Sequence, residues 1–388
     1  MTRTNTITVL FFLRRIGPYH HARFQAASKV LNLVAIETRP QSQEYPWQFE
    51  AAGNYTIERF PVSGEIEKGI RGSTLRVVVG RMFDKYGPDV VVTTGWADPE
   101  YHAVVLEASR RTVPRVVISD SRYESEPRKF YKEFLKTIIL KSYSSALVAG
   151  TISKAYLKRL DFDMTAVFMP WDVVDNSYFS SSARVNLLPL SDRYFLCISR
   201  FIPEKNISRL IQAFGIYIKK GGNRKLVLAG SGELEAEIRE QIRVETLTDH
   251  IDLTGFVQYD KLPKYMAEAL CVILPSISDT WGLVVNEAMA SGLPVLVSKN
   301  CGCAPDLVME KKNGYIFDPH DTGTMAALMT DMDTMSEEAW RKMGEASKAI
   351  ITNWDLDDFA NGLLNACSRA LEYPSKKIVK PVHILLSK

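Results

Sequence analysis

The chain is predicted to fold as two doubly wound α/β domains, each a parallel sheet covered by helices. Strand-like apolar runs alternate with helix-period segments throughout, as in successive βα units rather than hairpins. At 388 residues the chain also exceeds what one ordinary core accommodates. Finally, a stretch of weak periodicity rich in Ser, Asn and Pro, residues 176–191, separates two such series.

The elements follow in order. Residues 7–13 form an apolar run closed by Arg14-Arg15. It is too short for a secretion signal's core plus cleavage site, and reads as a buried first strand. Runs at 31–37, 90–94, 116–119 and 146–149 are β-branched or continuously apolar, as strands covered on both faces are. Helical patterns fall between them, including 21–31 and 128–142. The second series opens with a strand at 194–199. A helix at 207–219 follows, with Ile207, Leu210, Ile211, Phe214 and Ile218 on one stripe. Further strands are expected at 226–229, 251–253, 272–274, 295–297 and 315–317. Ser336-Glu-Glu starts a helix towards Ile351 with acids in its first turn. The expected domains are residues 1–185 and 186–353, with a last helix and tail in 354–388. In such folds ligands sit at the carboxyl ends of strands.

Composition excludes several classes. A hydrophobic share of 46% with 24% charged residues is that of a soluble globular protein. No apolar run approaches the roughly 20 residues that span a bilayer. Five cysteines, an odd number, argue against a disulfide framework and for a reducing, cytoplasmic setting. Cys301-Gly-Cys303 has no second Cys/His pair at zinc spacing, so no metal site is expected there. Net charge is +3, but residues 1–185 hold 25 Lys and Arg against 19 Asp and Glu, and the rest 23 against 26. A mildly basic first half suits an anionic partner such as a phospholipid surface, and is too weak for nucleic acid.

The most informative stretch is Pro275-Ser-Ile-Ser-Asp279-Thr-Trp-Gly282-Leu283-Val284-Val-Asn-Glu287. An apolar strand stops at Pro275, a polar loop follows, and a helix begins near Leu283. Gly282 lets the backbone turn close to a ligand. The first helical N–H groups lack intrahelical partners and carry the positive end of the helix dipole. Amides for phosphate and carboxylates (Asp279, Glu287) for hydroxyls make a seat for an anionic, hydroxyl-rich ligand. Ser199-Arg200-Phe-Ile-Pro-Glu204-Lys205-Asn206 follows the first strand of the second series. Its Arg200 fork matches phosphate oxygens and Lys205 adds a point charge.

These motifs resemble the donor site of the retaining GT-B glycosyltransferases of glycosyltransferase family 4. That family's pattern is Glu, seven residues, Glu; here the first acid is Asp279, one methylene shorter. The resemblance is specific over residues 194–372 and rests on element order and looser matches over 1–185. It implies two Rossmann-like domains facing across a cleft, with the helix that starts after Trp354 crossing back to the N-terminal domain. It also implies transfer of a hexose-type unit from a nucleotide-diphosphate sugar to a hydroxyl acceptor with retention, in cell-surface polysaccharide, lipopolysaccharide or glycolipid synthesis. Arg200 and Lys205 would clamp the diphosphate together with the amides around Gly282, Leu283 and Val284, without a metal or other cofactor. Asp279 would hold the transferred sugar and Glu287 the ribose. Gly230 and Gly232, after the strand at 226–229, would permit nucleotide approach, and Val257 would bond the base through its main chain.

In the first domain Gly17, by position, matches the family loop that approaches the donor, and His20 or His21 would bond sugar or phosphate. Relatives carry a histidine–acid pair where this chain has Ser119-Asp120, so Asp120 is the candidate for orienting donor sugar or acceptor. Val173-Val174-Asp175 resembles a short family motif with a packing and hinge role. The strings Asp161-Phe-Asp163, Asp331-Met-Asp333 and Asp355-Leu-Asp357 do not follow strands, and are not read as a metal pair. The aromatic and basic segment 128–141 leaves two readings open: a membrane-facing amphipathic helix, or an ordinary surface helix. For the whole chain, a sugar-nucleotide epimerase or a phosphorylase on the same scaffold, or a non-catalytic sugar-nucleotide-binding partner, are the alternatives.

Overall fold

The computed structural model describes residues 6–40, 49, 51–61, 72–125, 129–182, 188–375 and 378. Arg128, at the head of the expected 128–142 helix, and most of the tail lie outside these. The chain divides into two compact units, Met1–Val173 with Leu356–Lys388, and Val174–Asp355.

Unit 1 begins with β1 (Thr8–Leu13), α1 (Pro18–Ala27), β2 (Asn32–Glu37) and β3 (Thr56–Arg59). Next come α2 (Gly72–Tyr86), β4 (Val90–Thr94), α3 (Pro99–Arg110) and β5 (Arg115–Ser119). α4 (Phe130–Leu140), β6 (Ser145–Val148), α5 (Thr151–Arg159) and β7 (Val167–Phe168) complete its first segment. Unit 2 opens with α6 (Asn176–Ser182), β8 (Tyr194–Ile198), α7 (Ile207–Lys219), β9 (Leu226–Ala229) and α8 (Glu235–Val244). It continues through β10 (Ile251–Gly255), α9 (Leu262–Glu268), β11 (Ala269–Leu274), α10 (Leu283–Ala290) and β12 (Val295–Ser298). α11 (Ala304–Leu307), β13 (Gly314–Phe317), α12 (Thr322–Asp333) and α13 (Glu337–Ile351) finish it, before α14 (Leu356–Glu372) returns to unit 1.

The unit 1 sheet runs β3-β2-β1-β4-β5-β6-β7, all parallel. Central strands are buried on both faces: Val9 to Phe12 and Val90 to Val92 are fully inaccessible, which is why they read as unbroken apolar runs. β3, at the edge, has no buried residue, and β7 is two residues long. α14 presents Phe359, Leu363, Ala366 and Ala370 at helical spacing to this unit. It packs on α1, β6 and β7. Gly362 makes the approach close, since a Cβ there would sit 3.1 Å from Leu147 Cδ1 and 3.2 Å from the Met169 carbonyl.

The unit 2 sheet, also parallel, runs β10-β9-β8-β11-β12-β13. α7 buries Ile207, Leu210, Ile211 and Phe214 against it, the stripe read from sequence, with Ile218 only partly covered. The division between units lies at Val173/Val174, not at 185/186. The Ser-rich segment folds as α6 because Phe179 is fully buried and Asp175 Oδ1 accepts from Tyr178 N at 2.9 Å. Asn176 Nδ2 donates to the Ile351 and Trp354 carbonyls at 3.0 and 3.3 Å, fastening α6 to the end of unit 2.

Candidate functional site

In unit 2 the strand order reverses between β8 and β11, so the loops after these two strands flank the switch point where parallel sheets bind ligands. One loop carries Arg200 and Lys205, the other Asp279 and Gly282. Their side chains meet: Lys205 Nζ donates to Asp279 Oδ2 at 2.6 Å, with only 17% and 10% of the two side chains exposed. Ser276 Oγ, fully buried, adds a longer contact to the same oxygen at 3.4 Å. Arg200 stands half-buried on the first loop.

Asn206, which motif reasoning left without a role, holds the two loops in register. Its Nδ2 donates to the Pro275 carbonyl at 3.0 Å and the Pro319 carbonyl at 2.8 Å. Ile277 N adds a bond to the Glu204 carbonyl at 2.8 Å. Asn206 adopts φ 58°, ψ 33° immediately before α7, and Asn tolerates this left-handed conformation better than most residues. An Asn abutting a helix start was the available signal.

α10 starts where the sequence placed it. Gly282 has φ 106°, and a Cβ there would come within 2.6 Å of Leu274 Cδ2. Leu283 and Val284 open the helix, so their amides have no intrahelical acceptor. Glu287 is 1% exposed on the same helix, and Asn286 beside it accepts from Trp281 Nε1 at 2.9 Å. The Trp281 ring lies 5.1 Å from that of Trp354, a contact no motif announced. Val257 is half-buried in the loop after β10. Cys301 and Cys303 are buried free thiols, and Cys303 N donates to the Trp281 carbonyl at 3.1 Å, so the pair braces the loop from beneath. Of the Asp-x-Asp strings, Asp333 is engaged by Arg224 and Tyr217, and Asp163 caps a turn at Thr165.

Gly230 and Gly232 are accounted for by main-chain packing beneath the Arg200 loop. A Cβ at Gly230 would lie 1.8 Å from the Ser199 carbonyl oxygen, and one at Gly232 would lie 2.5 Å from that of Phe201. Gly230→Ala is therefore expected to destabilise the protein by about 1–3 kcal/mol, the usual cost of forced backbone shifts. Urea unfolding measures it, and an unchanged midpoint would show that the loop yields freely.

In unit 1 the order reverses between β1 and β4. Here Arg14 pairs with Asp98 at 2.8 Å, and Arg39 binds both Glu100 oxygens at 3.0 Å. α1 begins at Pro18, so His20 and His21 are helical residues. Gly17 N donates to His20 Nδ1 at 3.2 Å, which leaves the ring proton on Nε2. Burial, with the nearby Arg23 charge, pushes the His20 pKa down to about 3. His21 is taken up by Tyr55, 2.9 Å from its Nδ1. Arg23 is 1% exposed, pairs with Asp172 at 3.1 Å and lies 4.5 Å over the Trp171 ring. Asp120 follows β5 half-buried; burial lowers the Arg23 pKa, and the charges of Asp172 and, last, Asp120 oppose that shift. This buried arginine, three residues after His20, is one to which the sequence reading gave no role.

His20 gives a pH prediction. The unfolded chain protonates it near pH 6.5, whereas the fold resists protonation until about pH 3. Below pH 6.5 the unfolded state thus binds more protons. His20's stability contribution is complete above that pH and is lost as pH falls towards 3. The measurement is urea unfolding across pH 4–7 with His20→Gln as comparison; equal slopes in both proteins would refute it.

Residues 180–349 match the family model described as glycosyl transferases group 1. An amylovoran biosynthesis glycosyltransferase of Erwinia amylovora is 30% identical over 140 residues, 34% of this chain and 34% of that protein. The GDP-mannose-dependent alpha-(1-6)-phosphatidylinositol monomannoside mannosyltransferase of Mycobacterium tuberculosis is 28% identical over 182 residues, 43% of this chain and 47% of that one. The matches thus span a third to a half of these relatives' lengths. The Anabaena protein HepE, solved with UDP and glucose, superposes with a TM-score of 0.72 at 17% identity, over 93% of this chain and 99% of its own. Two parallel-sheet Rossmann-like domains of the GT-B type are therefore the fold of this chain.

Proposed function

We propose that this chain is a retaining glycosyltransferase that moves a hexose-type sugar from a nucleoside diphosphate to a hydroxyl. The observation that carries the reading is the meeting of Lys205 and Asp279 at the unit 2 switch point, beside the first amides of α10. A diphosphate seated there takes charge from Arg200 and Lys205 and hydrogen bonds from Leu283 and Val284 N–H, all pre-placed where negative charge grows on the leaving group. That arrangement stabilises the leaving phosphate without a divalent ion. Asp279, released from Lys205, accepts from the sugar's hydroxyls, and Glu287 accepts from the ribose. Retention follows the Asp279…Glu287 resemblance. The neutral His20, with its proton on Nε2, and Asp120 are assigned to the acceptor on unit 1. Acceptors in polysaccharide, lipopolysaccharide or glycolipid assembly are the ones assigned, in keeping with relatives named for amylovoran biosynthesis and for mannosyl transfer to a phosphatidylinositol monomannoside.

The test is turnover of a panel of UDP- and GDP-sugars, with and without saccharide acceptors, in excess chelator, with the product anomer read by NMR. Acceptor-dependent release of nucleoside diphosphate with a retained anomer is expected. Complete loss in chelator, restored by manganese, would overturn the metal-free scheme. Donor isomerisation without acceptor would mean an epimerase.

A further inference from the structure

We infer that the first turns of α4 dock the protein on an anionic lipid bilayer. A helix on a water-soluble domain should turn its apolar stripe inward. α4 does so at its far end, where Ile139 and Leu140 join the unit 1 core. At its near end it does the reverse: Phe130 is 87% exposed, Tyr131 57% and Phe134 57%. Phe130 and Phe134 are one turn apart on one face, with Tyr131 beside them. Most of the other exposed large hydrophobics lie singly, whereas these three fall within five consecutive residues. Single exposed apolar side chains need no explanation; a contiguous aromatic stripe does.

The surrounding charge identifies the partner. Residues 129–141 hold four lysines and one acid. That acid, Glu133, is turned to Lys136 Nζ at 3.0 Å and to the Tyr156 hydroxyl, leaving little negative charge on the aromatic face. Lys129 and Lys132 are exposed beside the rings, while Lys141, at the other end, is paired with the exposed Asp161 at 3.6 Å. Aromatic rings with lysines around them match the headgroup–acyl boundary of an anionic leaflet, where each nearby lysine strengthens attraction by about fivefold. A second protein is a poorer match. Taking about 200 Å² per ring, the exposed aromatic area is roughly 400 Å², about half of what one side of a stable protein pair buries. Among the described residues no helix is long and apolar enough to cross a membrane, so contact through α4 is peripheral.

The test uses the full chain and needs no enzymatic activity, so it succeeds or fails independently of the glycosyl-transfer reading. Sedimentation with vesicles of phosphatidylcholine alone, or with one third phosphatidylglycerol, should show at least about tenfold stronger binding to the anionic set. Phe130→Ser with Phe134→Ser should remove binding to both. Lys129→Glu with Lys132→Glu should remove only the anionic preference. These side chains are exposed, and circular dichroism confirms that the variants fold. Equal sedimentation of wild type and the double serine variant would overturn the inference. So would a wild-type dimer that the serine variant converts to monomer in light scattering, because a second copy would then cover the face.

Discussion

Replacing Lys205 by alanine is expected to weaken nucleoside diphosphate binding and donor turnover ten- to a hundredfold. A charge-assisted hydrogen bond to phosphate contributes about 1.5–3 kcal/mol, and each 1.4 kcal/mol is a factor of ten in rate or affinity. The ion pair with Asp279 offers a competing explanation. Removing Lys205 takes a 2.6 Å partner from a largely covered carboxylate, and a less balanced acid would itself repel phosphate. A double-mutant cycle separates the two. If Lys205 touches the diphosphate, Lys205→Ala still loses affinity in an Asp279→Asn background. If it only neutralises Asp279, the loss disappears there. Arg200→Ala, on the same loop, should show a decrease of similar size. Near-normal affinity in both single variants would remove the clamp.

The contrast between what was legible and what was not has physical roots. Every central strand could be read because burial on both faces demands an unbroken apolar run, and α7 because its stripe faces a sheet. β3 and β7 escaped: one is a half-exposed edge strand, the other a two-residue pairing, and neither needs a distinctive composition. The sequence sets the boundary later than the fold does because serines conceal α6, in which Phe179 is the fully buried apolar residue. For the site, local grammar sufficed to place Gly282 and the start of α10. It could not reveal that Lys205 and Asp279, 74 residues apart, share a hydrogen bond, since that depends on β8 and β11 being neighbours. Nor could it tell that Gly230 serves the Ser199 main chain, or that Asn206 ties two loops. Those are tertiary facts carried by residue types that are common in any turn.

The two acids should divide the donor between them: Glu287→Gln is expected to cost about tenfold in nucleoside diphosphate affinity, Asp279→Asn chiefly to impair transfer. Glu287 stands five positions beyond Gly282, the residue that caps α10. At 1.5 Å per residue this is about 7.5 Å, a reach suited to a ribose when the diphosphate sits on the helix-start amides. Asp279 precedes those amides, on the side to which the proposed function assigns the sugar. A carboxylate can accept from two hydroxyls at once, whereas an amide accepts with one oxygen and offers donors on its other side. Glu287→Gln therefore turns one acceptor into a donor facing a ribose hydroxyl. Asp279→Asn has a second consequence. It breaks the 2.6 Å pair and frees the Lys205 ammonium, so affinity for the free diphosphate should hold or tighten while transfer falls by at least about tenfold. Calorimetry with the free nucleoside diphosphate isolates the ribose contact, because that ligand carries no sugar. Steady-state turnover with the intact donor reads the other half. Should Asp279→Asn lose diphosphate affinity as severely as Glu287→Gln, Asp279 belongs to the phosphate site with Lys205, and the sugar must be held by another group.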